Sequence, residues 1–179
     1  MFTNLETYQS RFWLKEEFLK KIGKSSSGFL LELFSRVDAL VDQDLVYYDH
    51  QMDMETCFEK YSFHEFKWHQ TPNGDMEWIF MLNRQGYLVD LAVAFYVTKE
   101  EKYLKKWKEI VFDFIVENEE EISHPEASWR VLDAGIRLMN WVKSLTYLPL
   151  SEFSEEEKKQ IQEAMSLHAN YICTHLQEK

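Results

Sequence analysis

Two stretches of this chain are apolar around nearly the whole circumference of a helix, and the stretches beside them are apolar on one face only. Trp78 to Val97 (WIFMLNRQGYLVDLAVAFYV) is the first of the apolar pair, with Asn83, Tyr87 and Asp90 gathered on one face and Ala94 continuing that line. Ser128 to Leu148 (SWRVLDAGIRLMNWVKSLTYL) is the second. At about 100° per residue, Arg130, Asp133 and Arg137 fall in one narrow sector, with Trp141 one turn further on. Trp129, Leu132, Ile136, Leu138, Val142 and Leu145 fill the other faces. A helix that is hydrophobic all round belongs inside an assembly. Charges on such a helix must pair or face a wet cleft, because isolated burial is too costly.

Amphipathic segments separate and follow the two apolar ones. Lys99 to about Asn118 carries Tyr103, Trp107, Ile110 and Phe114 on one face, with Thr98-Lys99-Glu100-Glu101 expected as its capping box. Ser154-Glu155-Glu156-Glu157 opens a helix from about Glu155 to Leu176. Upstream, the spacing predicts an amphipathic helix over Leu5 to Ile22 and a second from Phe29 to about Val41. Gln43 to Thr71 is irregular, and its aromatic residues allow a short strand or a packed loop. Thr71-Pro72-Asn73-Gly74-Asp75 is the clearest turn. Short links make successive helices antiparallel neighbours. The alternation of apolar and amphipathic helices therefore predicts an all-α chain in which residues 1–179 form one helical domain, an incomplete α/α toroid of antiparallel hairpins with inner and outer helices.

Composition narrows the partners. A formal net charge of −11 argues against nonspecific nucleic-acid binding and against an anionic membrane surface. No run of about 18 apolar residues is present, and the first residues do not resemble a signal peptide, so a cytoplasmic location is expected if the start is native. Cys57 and Cys173 have no metal-ligand spacing, and their pairing is left open. His50, His64, His69, His124, His168 and His175 include no HxxxH pair with an attendant Glu, so each is expected at the surface or at a helix cap. No glycine-rich phosphate loop or nucleophile elbow occurs, and the pattern calls for no cofactor and no metal.

Arg130, Asp133, Arg137 and Trp141 are the leading candidate site, and Asn83, Arg84, Tyr87 and Trp78 are the second group. Guanidinium groups hold carboxylate or sulfate in paired geometry, and indole faces pack on sugar rings. The competing reading is an ion-pair ladder that braces neighbouring helices. Trp68 and Trp78 flank the Pro72–Asp75 turn, as a saccharide rim or simply as core. Asp75, Glu77 and Asp90 would be the carboxylates of a toroid glycoside hydrolase, which needs two that converge.

The residues Trp78, Leu82-Asn83-Arg84, Leu91, Ala92, Ala94, Tyr103, Trp129-Arg130, Ala134, Arg137, Asn140 and Trp141 resemble, in order, the N-terminal helical region of heparinase II/III-like polysaccharide lyases. The resemblance is strongest over Asn73 to Leu148. It implies an incomplete α/α toroid followed by a large β-sandwich. It also implies cleavage of uronic-acid polysaccharides, of glycosaminoglycan or alginate type, by β-elimination. Family members use Asn or His to neutralise the uronate carboxylate, and Tyr or His as base and acid; these groups lie downstream of the matched region. No catalytic residue is therefore carried over. The chain is expected to be an amino-terminal piece or a truncated relative, inactive alone, whose seam residues line the cleft. Its expected partners are an acidic polysaccharide and the family's missing carboxy-terminal part. A noncatalytic helical module that forms a homodimer through exposed apolar faces is the alternative. Family members are often periplasmic or secreted.

Overall fold

The computed structural model describes residues 27–49, 59–63, 68–118, 122 and 124–176. The helix expected over Leu5 to Ile22, together with Cys57, His50 and His64, lies outside the described residues. Among the described residues the elements are α1 (Ser27–Gln43), β1 (Leu45–Val46), β2 (Tyr61–Ser62), α2 (Met76–Arg84), α3 (Tyr87–Thr98), α4 (Glu101–Glu117), α5 (Val131–Tyr147) and α6 (Glu155–His175). The two short strands pair antiparallel, Leu45 with Ser62 and Val46 with Tyr61, inside the segment that lacked a clear pattern. The fold is all-α, an incomplete α/α toroid.

Each amphipathic helix forms where its apolar residues recur every three or four positions. On α4 these are Tyr103, Trp107, Ile110 and Phe114; on α1, Leu33, Val37 and Leu40. The Ser154 capping box of α6 is present in full, since Ser154 Oγ accepts from the Glu157 amide and Glu157 Oε2 accepts from the Ser154 amide. Helix α3 packs chiefly on α5, α4 and α1, and α5 on α3, α6 and α2. The pairs Trp141–Gln85, just ahead of α3 and past the middle of α5, and Tyr96–Tyr147, at the carboxy ends of both, show that α3 and α5 run in the same direction. They are the inner pair, and α4 and α6 return outside them.

Three boundaries differ from the pattern-based expectation. Trp78 to Val97 is not one helix, because Gln85 takes a left-handed conformation (φ 53°) and separates α2 from α3. The Gln85 amide closes on the Leu82 carbonyl, the Tyr87 hydroxyl donates to the same oxygen, and the buried Gln85 side chain accepts from the Trp141 indole. Tertiary bonds thus outweigh a helical run. Thr98-Lys99-Glu100-Glu101 is not a capping box: Lys99 (φ 63°) terminates α3, and Thr98 Oγ1 both donates to the Ala94 carbonyl and accepts from the Glu100 amide. Helix α5 starts at Val131 rather than Ser128, leaving Trp129 buried in the preceding turn. Nor is α5 covered all round. Leu132, Met139 and Val142 form an exposed apolar stripe, because no described element packs outside that face.

Candidate functional site

The polar seam of α5 packs against the corner where α2 gives way to α3. Arg137 is fully buried. Its Nη1 donates to the Asn83 carbonyl at 2.8 Å and to the Ser128 carbonyl at 2.9 Å, and its Nε donates to His168 Nε2 at 2.8 Å. The guanidinium lies over Phe114 and Trp129, at 4.3 and 4.9 Å from the ring centres. Carbonyls at a helix carboxy end lack intrahelical partners, which is why the end of α2 attracts donors. Asn140 and Trp141 do the same work one turn further along, donating to the Arg84 carbonyl (2.8 Å) and to Gln85 Oε1 (2.6 Å).

Asp133 is buried completely, and its Oδ1 accepts from Arg84 Nε at 2.7 Å. Its Oδ2 lies 3.4 Å from Arg130 Nε, an ion pair without hydrogen-bond geometry. The side chains of Arg84 and Arg130 stay 22% and 34% exposed. The Arg130 guanidinium stacks 3.6 Å above the half-buried Phe80 ring. Three arginines therefore surround one aspartate, in a chain of net charge −11.

Of the predicted set, Arg84, Asp133 and Arg130 come together at the surface end of the seam, while Asn83, Arg137 and Trp141 meet in its buried part. Asn83 donates from Nδ2 to the Trp68 and Ile79 carbonyls. The Tyr87 side chain is buried, and burial holds its hydroxyl proton well above the usual phenol range. Trp78 has no exposed surface and stacks edge-on with Tyr48 and Tyr61, and Trp68 is buried with its indole donating to Asp113. Both tryptophans are core residues in this structure. Asp90 leaves the expected face and pairs with Arg36 of α1, which also holds Asp49. Asp75 is the exposed N-cap of α2, so Asp75 and Asp90 do not converge as a hydrolase pair would.

His168 overturns the expectation of a surface histidine. It is 1% exposed, its Nε2 accepts from Arg137, and its Nδ1 faces the Ala164 carbonyl at 2.7 Å, so the proton sits on Nδ1. Burial first, and the nearby Arg137 charge second, push its pKa down to about 3. Its place was legible, because Ile161, Met165, His168 and Ile172 share one face of α6. Gln85 and Asn118 were missed for a different reason. Asn118 bridges the Trp129 indole and the Phe114 carbonyl, and no local pattern marks such a residue. A cavity of about 280 Å³ between α4 and α6 is floored by Phe114, Trp129 and His168. No group of His, Cys, Asp and Glu suited to a metal ion occurs among the described residues, and Cys173 is exposed as a free thiol. No described helix is long and apolar enough to cross a membrane.

Two solved structures share this fold. The heparan sulfate lyase HepC from Pedobacter heparinus superposes with a TM-score of 0.65 at 19% identity, over 83% of this chain and 22% of that one. A mutant of the same enzyme gives 0.66 at 19% identity, over 85% and 23%. The chain thus spans less than a quarter of the length of the lyase structures it matches. No curated protein matches it in sequence. The family model described as heparinase II/III N-terminus matches residues 26–179, and this chain belongs to that family.

Proposed function

We propose that this chain is the amino-terminal helical part of a lyase that cleaves uronic-acid polysaccharides by β-elimination, and that it contributes cleft wall without turning over substrate alone. The observation that carries this reading is the family match over 26–179. The excess of positive charge at the end of the α5 seam supports it. Within the wall, Arg84 and Arg130 are the members accessible to a ligand. Asp133 braces these two directly, Arg137, Trp141, Asn83 and Tyr87 belong to the buried join between α5 and the α2–α3 corner, and Trp78 lies in the core away from them. An acidic glycosaminoglycan or alginate is the substrate class that two guanidinium groups recognise. The α5 stripe, with Ile172 and Leu176 of α6, is the face on which the rest of the family's fold would dock.

The test uses the chain itself with heparan sulfate, heparin, chondroitin sulfate and alginate. Ultraviolet absorbance of unsaturated uronate is expected to stay flat, and migration in polyacrylamide containing an acidic polysaccharide is expected to be retarded. Steady product formation would overturn the claim of inactivity. Migration unchanged by any acidic polysaccharide would overturn the cleft-wall reading. The exposed stripe of Leu132, Met139, Val142 and Leu176 favours a second reading, a noncatalytic module that pairs with its own copy. Sedimentation equilibrium decides it: a strictly monomeric chain removes that reading.

A further inference from the structure

We infer that Arg84 and Arg130, braced from beneath by Asp133, form a two-armed receptor for one anionic substituent of a sugar chain, a carboxylate or a sulfate ester; this rests on the cleft-wall reading. The two arms come from different elements. Arg84 is the last residue of α2, and Arg130 is the N-cap of α5, where no side chain caps the helix. Both turn their Nε toward the same buried carboxylate. An arginine has five donors in a fixed fork, and Asp133 engages only the Nε edge of each. Arg84 Nη1 meets Met81 Sδ at 3.0 Å, a weak acceptor. Arg84 Nη2 and both Nη groups of Arg130 have no protein hydrogen-bond acceptor among the described residues.

A brace built only for stability would bury both guanidinium groups and use their paired donors. Here the carboxylate is fully buried and the arginines are not. Two positive charges on one negative leave +1 at the surface, with the buried Arg137 one turn below Asp133 adding to the field. Phe80 fixes the plane of Arg130 from the side, so less freedom is lost when a ligand arrives. The positive end of α5 acts in the same sense. Carboxylate and sulfate both present paired oxygens to such a fork.

Isothermal titration of the chain with defined tetrasaccharides tests this. One carries uronates without sulfate, one carries sulfates without uronate, and one is neutral. The neutral sugar is expected not to bind, and whichever anionic arm binds identifies the oxyanion. Arg84→Gln and Arg130→Gln, changes at partly exposed positions, are each expected to weaken binding about tenfold, the loss of a charge-assisted hydrogen bond. Asp133→Asn gives the sharpest sign. It makes the site more positive, yet if Asp133 positions the arms, affinity falls. Tighter binding by Asp133→Asn would mean that the carboxylate merely competes with the ligand, and would overturn the inference. Circular dichroism checks the fold of each variant; should Asp133→Asn fail to fold, the two arginine variants decide alone. Wild-type affinity in both would overturn the receptor and leave the cleft-wall reading standing. No binding of either anionic sugar by the wild type would overturn both.

Discussion

Replacing Arg137 by methionine removes the central piece of the seam while keeping most of its volume. Three acceptors then lose their donor in the interior: the Asn83 carbonyl, the Ser128 carbonyl and His168 Nε2. Leaving a buried acceptor unpaired costs about 1–3 kcal/mol each. Against this, the wild-type protein buries a full charge whose compensating carboxylate, Asp133, lies one turn away and already holds Arg84 and Arg130. Relief of that burial offsets part of the loss, and removing one member of a buried ionic set ordinarily costs about 3–5 kcal/mol net. We expect about 4 kcal/mol here, a large share of the roughly 5–15 kcal/mol available to a domain.

Urea unfolding followed by tryptophan fluorescence measures it, since Trp129 and Trp141 flank the substituted position. Arg137→Lys keeps the charge but reaches fewer of the three acceptors, and about 2 kcal/mol is expected. In a cycle with His168→Leu, the coupling energy should exceed about 1 kcal/mol, because the two side chains share a hydrogen bond. A loss below about 1 kcal/mol for Arg137→Met, with no coupling to His168, would refute the reasoning. The seam would then be incidental to the join between α5 and the α2–α3 corner.

The pH dependence of stability should carry a signature of His168. Its folded pKa is depressed to about 3 against 6.5 for the free side chain, so only the unfolded chain takes up this proton between those values. Stability from this group is complete above about pH 6.5 and is lost as pH falls toward 3, by about 2 kcal/mol between pH 7 and pH 5; His168→Gln should flatten that part of the profile. Ser154→Ala removes the side-chain half of the capping box, the Oγ that accepts from the Glu157 amide, and should cost about 1 kcal/mol in urea unfolding. Leu132→Glu and Met139→Glu, at exposed positions, should change stability by less than about 0.5 kcal/mol; a larger loss would mean that the α5 stripe is covered.

What the sequence made legible was whatever depends on short-range periodicity. The faces of α1, α4 and α6, the Ser154 box and the turn before α2 all follow from residues a few positions apart. That the α5 seam needs polar company was readable, because a charged line on a greasy helix must find it; that the company is the Arg84 side chain and the Asn83 carbonyl was not. Gln85 shows where such reasoning stops. Its one local hint is the Gly86 that follows, and the turn is held by the Tyr87 hydroxyl on the Leu82 carbonyl and by the indole of Trp141, 56 positions later. Asp90 is the converse case. It shares a predicted face with Asn83 and Tyr87, but the break at Gln85 shifts the phase of α3 relative to α2, and Arg36 claims the carboxylate.

The apolar circumference of α5 had two physical explanations that no pattern separates: burial on every side, or burial on one side with a second apolar face open. The coordinates choose the second. Leu132, Ile136 and Met139 follow a helical stripe, and Gly135 within it presents no side chain, so a mostly apolar groove opens between this face and Ile172 and Leu176. Arg130 stands at one end of that groove and also stacks on Phe80. One residue therefore borders both the open apolar face and the proposed anion receptor. A negative charge placed at that border would act directly on the arm that meets the sugar. Binding of an anionic tetrasaccharide should then respond to Leu132→Glu, two residues from Arg130, more than to Met139→Glu, two turns further along α5. Equal affinities in the two variants would separate the groove from the receptor.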